Sequence, residues 1–259
     1  MTASDSNSHA DSVVRRRVED GIGIVTLSDP AHRNALSKRL SDDLAAAVEE
    51  VITAGAAVLV LDAEAPVFSS GGSLDGLVDR RHDLSEMYAG YLTLAEATIP
   101  TIAAVCGPAI GAGVNLALAC DVVLAGESAR FDPKFLDVGI HPGGGHLWQL
   151  SRRIGKQGAA ALVLCGDVLT GSEAAACGLA WRCVPDDELT GLAMRFARRV
   201  VGRSPDLIRR TKQTLRQSTG FTEMGPALDL ELKAQQWSVE QPYFHTRVRE
   251  VQDRIARAR

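Results

Sequence analysis

The sequence predicts an α/β fold of repeated strand–strand–helix (ββα) units, followed by a helical C-terminal region. Short β-branched runs alternate with segments of helical periodicity in the first half of the chain, and glycine-rich loops follow the predicted strands. From Gly155 onward, helical patterns dominate. We therefore expect a disordered tail over residues 1–12, a ββα core over residues 13–200 and a helical region over residues 201–259.

The first ββα unit begins with a hairpin. Val13–Arg17 and Ile22–Leu27 are short and β-branched, and Glu19-Asp20-Gly21 between them is typical of a tight turn. Apolar residues at helical spacing then predict an amphipathic helix over Ser37–Thr53. The run Ala57–Leu61 predicts a buried strand that opens the next unit.

The same alternation continues through the middle of the chain. Apolar runs predict strands at Thr101–Val105 and Val122–Ala125, and helices are expected over Leu84–Ala97 and Gly113–Ala119, with a glycine-rich turn at Cys106–Gly113. The helices predicted after these are Lys156–Leu164, Ser172–Cys177, Asp187–Val201, Asp206–Arg216, Thr222–Val239 and Thr246–Arg257. The last two lack a strand partner, so we expect them to pack on the body of the protein or on a neighbouring subunit.

Composition excludes several functional classes. The net charge of −4 argues against nucleic acid as the main partner, because phosphate binding requires a basic patch. The five cysteines are odd in number and form no C-x-x-C pair, which indicates reduced thiols in a cytoplasmic protein. The N-terminus has no signal-peptide pattern, and the apolar stretches are shorter than the 18 or so residues that span a membrane.

Two glycine-rich loops are candidates for an oxyanion-binding site. Gly111-Ala112-Gly113 opens a predicted helix, whose free N–H groups and dipole attract anions, although a tight strand–helix turn explains the glycines equally well. Ser69–Ser73 is either a surface loop or a second backbone donor segment. Two N–H groups converging from separate loops form an oxyanion hole. A dinucleotide-binding glycine pattern is excluded because Leu116 occupies the third glycine position.

A third loop, His141–His146, contains two histidines around three glycines. We expect no metal here, since no carboxylate or cysteine stands at ligand spacing. His141 or His146 could act as an acid or base, because imidazole titrates near neutral pH.

These loops, in this order, resemble the crotonase (enoyl-CoA hydratase/isomerase) family from Val13 onward. Each piece of the resemblance is short, but several occur in register along the chain. The matching segments are Arg33–Leu36, Phe68–Gly72, Ala103–Gly113, Leu116–Asp121, Gly139–Gly145, Leu164–Asp167 and Ala174–Ala180.

The resemblance implies a crotonase-like ββα superhelix that assembles through its C-terminal helical region into trimers, often paired into hexamers. It implies an acyl-CoA thioester as partner, with coenzyme A as part of the substrate and no tightly bound cofactor. By register, the backbone N–H groups of Gly72 and Ala112 would bind the thioester oxygen, and the helix N-terminus at Gly111 would add to their field. The CoA-contacting edge would consist of Arg33, Ala35, Leu36, Ser70 and Leu74.

The chain departs from the family pattern at both catalytic glutamates. Asn115 and Phe135 stand at these positions, so the acid–base pair that hydration requires is missing. The candidate substitutes are Asp137, His141 and His146. If the chain is extended around Phe135, Asp137 points the same way and is the best-placed carboxylate, unless it only caps a turn.

Two hypotheses follow. The first is an enzyme that stabilises a thioester oxyanion or enolate, with isomerisation, hydrolysis, decarboxylation or an unusual hydration as the reaction. The second is an acyl-CoA-binding protein without turnover. The feature that separates them is a titratable side chain facing the space above the Gly72 and Ala112 N–H groups.

Overall fold

The computed structural model describes residues 12–79 and 83–257. They form two units, one ending at Val201 and the other beginning at Gly202. The predicted disordered tail lies outside the described residues except for Ser12, whose hydroxyl lies within hydrogen-bond distance of the Val14 carbonyl and the Asp43 carboxylate.

The strands of the described chain belong to two sheets. In chain order they are β1 (Val14–Glu19), β2 (Ile22–Leu27), β3 (Val58–Ala63), β4 (Thr101–Val105), β5 (Pro108–Ile110), β6 (Val122–Gly126), β7 (Arg130–Asp132), β8 (Leu169–Thr170) and β9 (Arg182–Val184). The first sheet has the order β1-β2-β3-β4-β6-β9, with β1 and β2 antiparallel and the other neighbours parallel. The second sheet has the order β5-β7-β8.

The helices connect the strands in the pattern that the sequence predicts. In the first unit they are α1 (Lys38–Thr53), α2 (Leu74–Asp79), α3 (Ala89–Glu96), α4 (Ala112–Ala119), α5 (His146–Cys165), α6 (Gly171–Cys177) and α7 (Asp186–Val200). Ser37 caps α1 by accepting a hydrogen bond from the Leu40 N–H. The hairpin turn has positive φ at Asp20 and Gly21, as a tight two-residue hairpin requires. The structure therefore confirms the predicted α/β class.

The central strands of the six-stranded sheet are buried on both faces, so most of their residues are apolar. Val58 and Val60 of β3 pack toward α7, while Leu59 and Leu61 of the same strand pack into the larger core beneath α1, α3 and α4. Successive residues of a strand point to opposite faces, which explains why a continuous apolar run is needed here. This double-sided packing fixes the strand ends from which the site loops emerge.

The second sheet was not predicted. The segment Cys106–Gly113, expected to be a glycine-rich turn, contains β5, and β5 pairs in parallel with β7. Isolated bridges join Ser69 to Ala109 and Leu36 to Gly72, which brings the first two glycine-rich loops against this sheet. The strands are only two or three residues long, too short to carry a recognisable alternation.

The second unit is helical over its described residues, with α8 (Pro205–Ser218), α9 (Met224–Val239) and α10 (Pro242–Arg257). Within residues 12–79 and 83–257, none of the helices combines the length and the apolar character needed to cross a bilayer.

Candidate functional site

A cavity of about 540 Å³ opens where the first two glycine-rich loops meet the start of α4. Its wall is mostly apolar, with a few polar side chains among leucine, valine, isoleucine and methionine. The residues that line it are Leu36, Ser70, Gly71, Gly72, Leu74, Leu84, Met87, Tyr88, Ile110, Gly111, Ala112, Asn115, Lys134, Phe135, Val138, Ile140, His141, Pro142 and Gly143. An apolar cleft with few polar groups is typical of a small-molecule site.

Backbone hydrogen bonds hold the first loop in place. The Leu36 N–H donates to the Gly71 carbonyl at 2.7 Å, and the Ser73 N–H donates to the Leu36 carbonyl at 3.1 Å. Gly71 has φ +95°, and a β-carbon there would lie 2.7 Å from the Ile110 carbonyl oxygen, so only glycine fits. Gly72 is thereby fixed at the cavity wall.

The second loop is equally constrained. The Gly111 N–H donates to the Asp132 carbonyl at 2.8 Å, and the positive φ of 51° at Gly111 turns the chain into α4. Gly113, in the first turn of α4, packs directly on the first loop, since a β-carbon there would lie 2.7 Å from the Ser69 carbonyl oxygen. The absence of a side chain at Gly113 therefore sets the spacing between the two loops.

Two backbone N–H groups remain available at the meeting point of these loops. The N–H groups of Gly72 and Ala112 donate to no other atom among the described residues, and no side chain caps α4. Both residues line the cavity, and a β-carbon on Gly71 would lie 3.6 Å from the Ala112 nitrogen. Two such donors can bind an oxygen that carries developing negative charge.

Asn115, on the same helix as Ala112, is held by two hydrogen bonds. Its Nδ2 donates to the Gly143 carbonyl at 3.1 Å, and its Oδ1 lies 2.6 Å from Nδ1 of His146. The Gly143 carbonyl can only accept, which fixes the orientation of the amide, so Nδ1 of His146 carries the hydrogen. Asn115 is thus a rigid, uncharged part of the cavity wall.

His146 lies fully buried behind Asn115 and is not among the residues that line the cavity. Burial lowers the pKa of His146 to about 4, because the charged imidazolium loses its hydration. Its Nε2 is buried without a hydrogen-bond partner among the described residues. The Phe135 ring packs edge-on against the imidazole, with centroids 4.9 Å apart. His146 is therefore neutral near pH 7.

The extended conformation assumed around Phe135 is wrong. Leu136–Val138 forms a 3₁₀ helix closed by Gly139, so residues 135 and 137 do not point to the same side. Asp137 is exposed and does not line the cavity, whereas Phe135 does. The position expected for a substitute carboxylate therefore faces solvent.

His141 is the candidate acid or base that does line the cavity. It is exposed, and its Nδ1 donates to the Pro142 carbonyl at 2.7 Å, which leaves Nε2 as the acceptor nitrogen. The cavity lining contains no aspartate or glutamate among the described residues. The polar side chains that line it are Ser70, Tyr88, Asn115, Lys134 and His141.

The predicted CoA edge lies partly at the cavity. Leu36, Ser70 and Leu74 line it, while Arg33 and Ala35 do not. Arg33 is exposed beside the first loop, and its carbonyl accepts a hydrogen bond from the Ser70 N–H at 3.0 Å. Arg33 is therefore adjacent to the cavity rather than part of its wall.

Sequence reasoning missed the part of the wall contributed by Leu84, Met87 and Tyr88. These residues fall in the segment Leu84–Ala97, which was predicted to be one helix, and a helix prediction does not indicate which side chains face a cavity. The structure has a 3₁₀ turn at Glu86–Tyr88 before α3. No group of three metal-ligating side chains is present within residues 12–79 and 83–257.

Comparison with known families gives an extended match. A family model described as enoyl-CoA hydratase/isomerase matches residues 17–244. The chain is 35% identical over 248 residues to Probable enoyl-CoA hydratase EchA14 of Mycobacterium tuberculosis, covering 92% of this chain and 96% of that protein. It is 36% identical over 201 residues to the 2,3-dehydroadipyl-CoA hydratase of Escherichia coli, covering 75% of this chain and 78% of that protein.

Solved structures show the same likeness. Human enoyl Coenzyme A hydratase domain-containing protein 3 superposes with a TM-score of 0.87 at 25% identity, covering 93% of this chain and 98% of that one. A Thermobifida fusca protein solved in complex with acetoacetyl-CoA gives a TM-score of 0.79 at 28% identity, covering 88% of this chain and 95% of that one. The resemblance drawn from the loops is confirmed, and the chain belongs to the enoyl-CoA hydratase/isomerase family of the crotonase superfamily.

Proposed function

We propose that this protein binds an acyl-CoA thioester in the cavity, with the thioester oxygen accepting hydrogen bonds from the N–H groups of Gly72 and Ala112. The observation that carries the proposal is that these two N–H groups line one cavity and have no partner among the described residues. The Thermobifida fusca neighbour, solved in complex with acetoacetyl-CoA, supports the choice of ligand.

The chemistry proposed for the site is stabilisation of an enolate or tetrahedral oxyanion. Both put negative charge on the thioester oxygen, where two fixed donors act in a mostly apolar cavity without reorganising. Removal of one such donor typically costs about 10²–10³ in rate. The N-terminus of α4 adds positive potential at Ala112.

The reaction proposed is not the two-glutamate hydration. Asn115 and Phe135 carry no transferable proton near neutral pH, and His146 is neutral and buried. His141 is the group proposed to transfer protons, because it lines the cavity with its Nε2 free to accept. Isomerisation, hydrolysis and an atypical hydration are all compatible with one such group beside an oxyanion hole.

A second candidate function is acyl-CoA binding without turnover. The observation that favours it is the absence of a carboxylate from the described cavity wall, together with the engagement of Asn115 by Gly143 and His146. In this case the site keeps the oxyanion hole but performs no proton transfer.

Calorimetry tests the binding proposal. An acyl-CoA should bind far more tightly than the free fatty acid of the same chain length, because only the thioester carries CoA. Equal affinity for both would contradict the proposal. A mass-spectrometric screen of acyl-CoA thioesters then separates an enzyme from a binder, since turnover changes the product mass. Loss of turnover in His141→Gln, with binding retained, would identify the proton-transfer group.

We also propose that the protein is cytoplasmic and assembles as a trimer or hexamer through residues 201–259. The described cysteines are all free, which supports a reducing compartment. Exposed apolar side chains on the helices of the second unit support assembly, among them Leu228 and Leu232 of α9 and Val251 of α10.

A further inference from the structure

We propose that the hydroxyl of Tyr88 determines acyl specificity by donating a hydrogen bond to an oxygen on the acyl chain. The site would then select acyl-CoA thioesters that carry an oxo or hydroxyl group near the thioester over plain hydrocarbon chains of equal length. This inference rests on the proposed acyl-CoA function and names the class of acyl group that the same cavity takes.

The Tyr88 hydroxyl lies against Gly143 at the cavity wall. Tyr88 lines the cavity and is half-buried. Its hydroxyl lies directly over Gly143, where a β-carbon would come within 2.5 Å of the oxygen. Gly143 is not among the glycines with positive φ, so the backbone does not require glycine there. What glycine provides at this position is space for the hydroxyl.

The hydroxyls of two neighbouring tyrosines, Tyr88 and Tyr91, differ in their hydrogen bonding. The Tyr91 hydroxyl donates to the Gly144 carbonyl at 2.6 Å, so it is committed to holding the third glycine-rich loop. The Tyr88 ring packs edge-on against the Tyr91 ring, with centroids 5.6 Å apart and planes at 66°. The Tyr88 ring is thereby supported, yet its hydroxyl donates to no atom among the described residues.

The Tyr88 hydroxyl lies near the proposed oxyanion hole. Gly143, beneath the Tyr88 hydroxyl, accepts a hydrogen bond from Asn115. Asn115 follows Ala112 by three residues on α4, a rise of about 4.5 Å along the helix. A thioester carbonyl bound at Ala112 would therefore place the first carbons of its acyl chain close to the Asn115–Gly143 part of the wall.

The Tyr88 hydroxyl favours binding of an acyl chain that carries an oxygen. A hydrocarbon acyl chain that fills a mostly apolar cavity displaces water from the Tyr88 hydroxyl and leaves it unpaired, which is unfavourable. An oxygen on the chain restores a partner. One neutral hydrogen bond corresponds to about a three- to tenfold difference in affinity. The preference should therefore be modest in size but specific to this hydroxyl.

Acetoacetyl-CoA and butyryl-CoA form a matched ligand pair, since they have the same chain length and differ by the 3-oxo group. Calorimetry of the wild-type protein should show acetoacetyl-CoA binding about three- to tenfold more tightly. Tyr88→Phe should abolish this ratio, chiefly by raising the butyryl-CoA affinity about three- to tenfold, because no hydroxyl is then left unpaired. Gly143→Ala should also abolish it, because the new β-carbon displaces the hydroxyl. Tyr243→Phe, on α10, is the matched control and should keep the wild-type ratio.

The possible results distinguish a failure of the proposed acyl-CoA function from a failure of the proposed role of Tyr88. If neither thioester binds the wild-type protein, the proposed acyl-CoA function fails and the inference falls with it. If both bind with equal affinity, the function stands and the selectivity is refuted. If acetoacetyl-CoA is preferred by the wild type and equally by Tyr88→Phe, the preference has another source and the role of Tyr88 is refuted.

Discussion

We expect this protein to hydrate crotonyl-CoA more slowly than a two-glutamate enzyme by at least about three orders of magnitude. Hydration requires a base that activates water and an acid that protonates the α-carbon. By the register of the glycine-rich loops, we expect Asn115 and Phe135 to stand at the two positions that supply these groups in the family pattern. The structure shows both as inert parts of the wall, Asn115 bonded to Gly143 and His146, and Phe135 packed on the imidazole.

The magnitude follows from the number of proton transfers lost. General acid or base catalysis contributes about 10²–10⁴ for each transfer. Groups that act as a unit do not contribute additively, so the loss of both is at least the worth of one. His146 does not replace them, because it is buried behind Asn115 and its lowered pKa makes it a weak base. The proposed donors Gly72 and Ala112 would still stabilise the oxyanion, so we expect some rate above the uncatalysed reaction.

A steady-state assay of crotonyl-CoA consumption measures this difference. Asn115→Glu/Phe135→Glu should raise the rate, and Asn115→Gln/Phe135→Gln is the matched control because it has the same shape without the carboxylates. The glutamate at 115 can still accept the hydrogen bond from Nδ1 of His146. Wild-type turnover equal to that of ordinary hydratases would refute the reasoning, and so would an equal gain in the glutamine double variant.

Three further predictions concern stability, loop spacing and assembly. Below pH 6.5 the unfolded chain binds more protons than the folded one, because the pKa of His146 falls to about 4 on folding, so the free energy of unfolding should drop by about 3 kcal/mol between about pH 6.5 and pH 4. In urea unfolding between about pH 7.5 and pH 5, His146→Gln should lose about 2 kcal/mol less stability than the wild type. An equal loss in both proteins would contradict this prediction. Gly113→Ala should weaken acyl-CoA binding at least about tenfold in calorimetry, because the new methyl group would separate the two loops. Gly225→Ala is the control and should bind like the wild type, since open space surrounds Gly225. Equal affinities of the two variants would refute the role of Gly113 in the loop spacing. Light scattering should show a trimer or hexamer, and a 27.6 kDa monomer at micromolar concentration would contradict this.

The regular elements could be predicted because their apolar patterns are long. The observed α1 begins at Lys38, one residue after the predicted start, and β2 and β4 have the predicted bounds. β5, β7, β8 and β9 were missed, since pairs and triplets of residues carry no measurable period. The first half of α5 was also missed, because the non-helical φ and ψ of Gly155 interrupt the pattern.

The glycine loops of the site could be predicted from their order, but the side chains above them could not. The exposure of Asp137 depends on a 3₁₀ turn that replaces the expected extended chain. The burial of His146 depends on Asn115 and Phe135, which are distant in sequence. Tyr88 was missed because its place in the wall depends on Gly143, which lies 55 residues later in the chain. Such contacts arise from tertiary packing, which no local pattern encodes.

A crystal structure of the protein with acetoacetyl-CoA would test directly whether the N–H groups of Gly72 and Ala112 bind a thioester oxygen. We expect the thioester oxygen to lie about 2.7–3.1 Å from both backbone nitrogens, with the acyl chain in the cavity. A thioester bound away from these two nitrogens, or an oxygen that contacts neither of them, would contradict it.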